Sequence, residues 1–108
     1  DSFTKTATSY MLWATQDAVI REVVGMDEIA SMKNVYIGRW KGVGDEVHQH
    51  TSMATICFSN ENIDDTCKMI DKINRTVKFL NDKGEDIIIK YTEFDYLKQM
   101  YQNGIEGR

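Results

Sequence analysis

The stretch Ser59–Leu80, SNENIDDTCKMIDKINRTVKFL, decides the fold. Ile63, Cys67, Ile70, Ile73, Val77 and Leu80 recur at spacings of 4, 3, 3, 4 and 3, the signature of one buried helical face. Asn62 with Asp65 three residues on resembles a capping box, with Asp in place of the usual Glu. Asp64 and Asp65 sit in the first turn and Lys78 near the last, both favourable to the helix dipole. The pattern predicts a long amphipathic helix from Asn62 to about Asn81, closed by Asp82-Lys83-Gly84 with Gly84 as a left-handed cap.

Working outward, Met53–Phe58 is apolar on both faces apart from Thr55, which predicts a central, covered strand. Ser9–Thr15 and Val19–Val24 are apolar, β-rich runs around the polar break Gln16-Asp17-Ala18 and read as a β-hairpin. Tyr10, Leu12 and Ala14 share one face, Met11 and Trp13 the other. Gly25 ends that segment, and Met26, Ile29 and Met32 predict one or two helical turns. Val35–Lys41 reads as a third strand and Gly42–Glu46 as the most loop-like stretch. Downstream, Ile87–Ile89 reads as a buried strand. Thr92 with Asp95 starts a last helix, with Phe94, Leu97 and Tyr101 as its stripe and Asn103-Gly104 as its end. The order β-β-α-β-β-α-β-α predicts an α+β domain: a small mixed or antiparallel sheet packed by one long amphipathic helix.

The 108 residues suffice for one domain, expected over 9–104, with residues 1–8 as a flexible lead-in. Ile105-Glu106-Gly107-Arg108 reads as a processing-protease site, native or a scar, and is set aside. Thirteen basic against 17 acidic residues give a net charge of −4, which argues against a nucleic-acid partner. No apolar run approaches the roughly 20 residues of a bilayer span, so no membrane partner is expected. Cys57 and Cys67 are not a disulfide framework and read as buried thiols of a cytoplasmic protein. The chain has no proline, so its tight turns fall to Gly and Asn.

Sequence signatures of phosphate loops and nucleophile elbows are absent, and no catalytic residue is assigned. The one cluster with site character is Asp45-Glu46-Val47-His48-Gln49-His50. In an extended segment His48 and His50 share a face, but two imidazoles fall short of the four ligands of a closed metal site, so no metal is assigned. Asp45, His48 and His50 remain candidates for a substrate mouth or interface, and otherwise are solvated loop residues. Arg39 beside Trp40 can clamp a carboxylate, or is simply an exposed strand residue next to a core ring. The aromatics Tyr91, Phe94, Tyr96 and Tyr101 are expected to dock the last helix. Left exposed, such a patch marks a partner surface or self-association.

The segments Ala18–Ile29, Asn34–Arg39 and Gly44–Val47 together resemble the carboxy-terminal portion of ATP-grasp ligases. The matching features are the Gly25-Met26-Asp27-Glu28-Ile29 turn, the Asn34-Val35 step into a strand, and the Gly44-Asp45-Glu46-Val47 loop. A strand like Met53–Phe58, a helix like Ile63–Leu80 and a strand like Gly84–Ile88 follow in the same order. The likeness covers about Tyr10 to Ile89. It points towards L-amino-acid ligases and members like carbamoyl-phosphate synthase or biotin carboxylase. It implies a parent enzyme that uses ATP and Mg²⁺ to join a small-molecule carboxylate to an amine or related acceptor. This chain would be its carboxy-terminal lid or packing domain and would hold no cofactor itself. Its partners would be the ATP-grasp domains of the parent chain, with Arg39 and the Gly42–His50 loop nearest substrate. Gln16-Asp17-Ala18 replaces a glycine turn common in that family. The alternative is a stand-alone ferredoxin-like module for ligand sensing or dimerisation.

Overall fold

The computed structural model describes residues 6–99. The elements run β1 (Thr6–Ala14), β2 (Ala18–Val19), β3 (Glu22–Val24), α1 (Met26–Ala30), β4 (Val35–Ile37), β5 (Glu46–Val47) and β6 (Ser52–Asn60). They continue through α2 (Ile63–Thr76), β7 (Lys78–Leu80), β8 (Ile88–Ile89) and a last helical segment, α3, over residues 94–99. The chain is α+β, and every strand pairing among the described residues is antiparallel. The main sheet has the order β4-β6-β1-β8, and two ribbons, β2-β5 and β3-β7, flank it.

The sheet is built on β1 and β6, each nine residues long and paired from Thr6↔Asn60 to Trp13↔Ser52. A bulge after Leu12 displaces Met53, which turns inward and is buried. Tyr10, Leu12, Ala14, Ala54, Ile56 and Phe58 form the buried face of these two strands. The amphipathic helix α2 lies on that face through Met69, Ile70 and Ile73. Its start follows the sequence reading: the Asn62 side chain accepts from the Asp65 N–H at 2.9 Å.

The helix ends earlier than its stripe suggests. Val77 is already extended, and Lys78–Leu80 forms β7 beside β3, with Phe79 opposite Val23 and fully buried. Val77 and Leu80 satisfy a helical period by coincidence, while Lys78-Phe79-Leu80 equally satisfies a strand period with Phe79 inward. Pairing with β3 decides between them. Gly84, at φ 76°, then serves a β-turn rather than a helix cap. Asn81 holds that turn by accepting from the backbone N–H groups of Lys83 and Glu85.

Other expectations are corrected. β1 does not form a hairpin with the next segment: Val19–Val24 splits at Ile20-Arg21 into β2 and β3, which pair with β5 and β7. The break at residues 16–18 lacks the glycine a tight hairpin turn uses, and β1 finds longer partners. β6 is central but covered on one face only, since Thr55 and Cys57 are half-exposed on the other. β4 stops at Ile37, so Arg39 and Trp40 lie beyond it. The expected lead-in is shorter as well, because Thr6, Ala7 and Thr8 belong to β1. Of the Ile87–Ile89 strand, Ile87 and Ile88 are buried and Ile89 is exposed. Phe94 and Leu97 of α3 pack on the core; Tyr101 and Asn103-Gly104 lie outside the described residues.

Candidate functional site

The Gly42–His50 loop is held by its own backbone and by Ile20. Gly44, at φ 93°, takes the left-handed conformation that glycine tolerates. It donates its N–H to the Ile20 carbonyl at 2.7 Å, and Ile20 N–H donates to the Asp45 carbonyl at 2.9 Å. The Asp45 carboxylate accepts from Gly42 N–H at 2.7 Å, closing the turn. Glu46–Val47 then pairs with Ala18–Val19, and Val47 is buried beneath the loop.

The four candidate residues divide between two recesses. Arg39 and Asp45 line an open recess of about 280 Å³ with Trp40, Lys41 and β6 residues Ser52–Thr55. Trp40 packs on the core while Arg39 stays exposed, and both lie in the loop beyond β4 rather than on a strand. His48 lines a separate recess of about 380 Å³ with Asp17, Arg21, Glu46 and Asp82. Its Nδ1 lies 3.7 Å from Asp17 Oδ1, both groups being well exposed.

His50 does not share a face with His48. The chain turns at residues 48–51, with Thr51 N–H donating to the His48 carbonyl and His48 N–H to Thr51 Oγ1. His50 sits at φ 69°, and its N–H donates to the Ala14 carbonyl at 2.8 Å. Strand alternation therefore fails at the point where the metal reading needed it. Among the described residues no group of three or more His, Cys, Asp or Glu side chains is placed to hold a metal ion.

The sequence reading missed a buried polar network. Tyr10 donates its hydroxyl to Asn74 Oδ1 at 2.6 Å and accepts from Tyr91 N–H at 2.9 Å, and Asn74 Nδ2 donates to the Tyr91 carbonyl at 2.8 Å. Burial pushes the Tyr10 hydroxyl above its ordinary value, with the hydrogen bonds to Tyr91 and Asn74 opposing. The signal in the sequence was an asparagine on the inward side of an amphipathic helix. The network thus engages both the oxygen and the nitrogen of the Asn74 side-chain amide.

The two thiols differ. Cys67 is buried on α2, and burial pushes its thiol up, with Lys98 opposing. Cys57 is half-buried on β6, with its sulfur 3.6 Å from Ser9 Oγ. No helix among the described residues is long and apolar enough to cross a membrane. Comparison with family models, curated proteins and solved structures finds no match.

Proposed function

We propose that this chain is the carboxy-terminal closing domain of an ATP-grasp ligase, covering one side of an active site assembled by other domains of a longer cytoplasmic polypeptide. Its work is mechanical: excluding water and shaping the pocket for a small-molecule carboxylate and its acceptor. The domain is not catalytic alone, and ATP and Mg²⁺ are handled by the partner domains.

The observation that carries this reading is the backbone at Gly25. This glycine opens the turn on which the resemblance rests, and it has φ 83° with no room for a side chain. A Cβ there would collide with the Thr76 carbonyl oxygen. Gly44, in the third resembling motif, also has positive φ. Motif residues demanded by geometry support a shared architecture better than residues free to vary. The recess holding Arg39, Lys41 and Asp45 offers cations suited to a substrate carboxylate.

The native reading frame is the test. An upstream segment carrying the nucleotide-binding lysine and metal-binding carboxylates of an ATP-grasp domain is expected, and a frame of only these 108 residues overturns the proposal. In that full-length enzyme Arg39→Ala is expected to raise KM for the carboxylate substrate with little change in KM for ATP.

A further inference from the structure

We infer that α3, with the segment leading to it from Tyr91, is a hinged strap on α2 that opens while the rest of the fold stays closed, and that its position decides access to Cys67. The inference is independent of the ligase reading.

The path of the segment is set at its two ends. At the near end the Tyr91 backbone is bonded on both sides. Its N–H donates to the Tyr10 hydroxyl at 2.9 Å, and its carbonyl accepts from Asn74 Nδ2 at 2.8 Å. At the far end Lys98 Nζ lies 3.2 Å from Oδ1 of Asp64, in the first turn of α2. At 1.5 Å per residue, Asn74 and Asp64 stand about 15 Å apart along that helix. The segment therefore runs back along α2 towards its N-terminus and passes Cys67 on the way. Phe94 and Lys98 form one wall of a recess of about 520 Å³, and Asp64, Cys67, Lys68 and Asp71 form the other.

The two ends are anchored unequally. Among the described residues, Tyr91 is the last whose backbone bonds to another element. Beyond it the backbone hydrogen bonds are local: Phe94 N–H donates to the Thr92 carbonyl and Leu97 N–H to the Glu93 carbonyl. α3 is held down by the part-buried side chains of Phe94 and Leu97. The Lys98–Asp64 pair adds little, because both groups are well exposed. Few buried apolar contacts and no backbone bonds to a neighbour put an element at the low end of local stability. α2 differs, since Ile70 and Ile73 hold it to the sheet from the opposite side. Tyr91 is thus the pivot. Thr92 and Glu93, exposed and outside regular structure, are the hinge.

Cys67 reports the movement. It is buried, yet it stands outside the core cluster that α2 forms with the sheet. Its cover comes from the side where Phe94 and Lys98 lie. Lifting α3 uncovers the thiol and leaves Ile70 and Ile73 in place.

The test uses the 108-residue chain carrying Cys57→Ser, which leaves Cys67 as the sole thiol. Alkylation by iodoacetamide at neutral pH is followed in rising urea, beside amide exchange of the fully buried Ile73. Labelling is expected to be nearly flat in dilute urea while Ile73 exchange climbs, because an opening confined to α3 exposes little surface. Leu97→Ala is expected to speed labelling about tenfold. Lys98→Glu is expected to speed it about two- to fivefold at low salt, a difference that disappears near 1 M salt, where the screening length is about 3 Å. Val47→Ala, far from α3 beneath the Gly42–His50 loop, weakens the open and closed forms alike. It is expected to speed Ile73 exchange about tenfold and leave Cys67 labelling unchanged, with circular dichroism checking the fold. A urea slope for labelling equal to that of Ile73 exchange places the exposure of Cys67 in global unfolding and overturns the proposal. Equal acceleration of both by Val47→Ala overturns it as well. Labelling insensitive to Leu97→Ala and Lys98→Glu means that the opening does not involve α3, with the same result.

Discussion

The hydroxyl of Tyr10 and the side-chain carbonyl of Asn74, 64 residues apart, are joined by a 2.6 Å hydrogen bond inside the core. Because the same hydroxyl accepts from Tyr91 N–H, one side chain ties β1, α2 and the segment leading to α3. Tyr10→Phe keeps the ring and strands two buried partners. The expected cost is about 1–3 kcal/mol, read as a lower urea midpoint at unchanged slope. The pH dependence has a definite sign. Burial raises the Tyr10 value in the folded state above its unfolded value near 10, so the stabilisation is complete below pH 10 and is lost as pH rises through the folded value. The difference between wild type and Tyr10→Phe should therefore be constant from pH 7 to 9 and shrink in more alkaline buffer. A gap that widens there would contradict the assignment.

Gly25 and Thr76 set a second test. Alanine at position 25 must adopt positive φ and displace the Thr76 carbonyl, where α2 gives way to β7. Strain of about 1–3 kcal/mol from the backbone alone is expected, with the clash added to it. Gly42→Ala, with nothing within 4 Å of the new Cβ, should stay within about 0.5 kcal/mol of wild type. Thermal unfolding of the two variants side by side gives the comparison, and equal melting temperatures would refute the claim that Gly25 is a required close approach.

These two glycines and the asparagine of the helix cap show how far the sequence could be read. Asn62 caps α2 because its local signal needs no distant partner. The faces of β1 are likewise legible, since Tyr10, Leu12 and Ala14 alternate with Met11 and Trp13 and the core takes the first set. Pairing partners were not legible. Residues 19–24 serve β5 and β7 rather than β1, and Lys78-Phe79-Leu80 follows a helical period yet is drawn into a strand by Val23. Both outcomes rest on contacts more than 20 residues apart in sequence, which a local period does not encode. The candidate site failed for a related reason. Placing His48 and His50 on one face assumed an extended segment, but the turn closed by Thr51 and the left-handed His50 rotates them apart.

The two thiols should react at different rates. Cys67 is 5% exposed, and its thiol is held up by burial, which lowers the reactive thiolate fraction. Cys57 faces the open side of the sheet. Alkylation of native protein at neutral pH, followed by peptide mass spectrometry, should label Cys57 at least about tenfold faster, since Cys67 must await local opening. Denaturant should abolish the difference, and comparable native rates would mean that α2 does not stay packed over this position.

Asp17 fastens the candidate loop to the end of β1. Its Oδ1 accepts from Gln49 N–H at 2.8 Å and lies 3.7 Å from His48 Nδ1. Because these groups are exposed, the contact contributes little, and Asp17→Ala should cost less than about 1 kcal/mol of global stability. The local effect is larger. Without the acceptor, Gln49 N–H loses this hydrogen bond and should exchange faster with deuterium, whereas Asp17→Asn keeps a carbonyl in place and should preserve most of the protection. Charge and hydrogen bonding are separated by this pair of variants: if Asp17→Asn exchanges as fast as Asp17→Ala, the attraction to His48 holds the loop and the hydrogen bond does not.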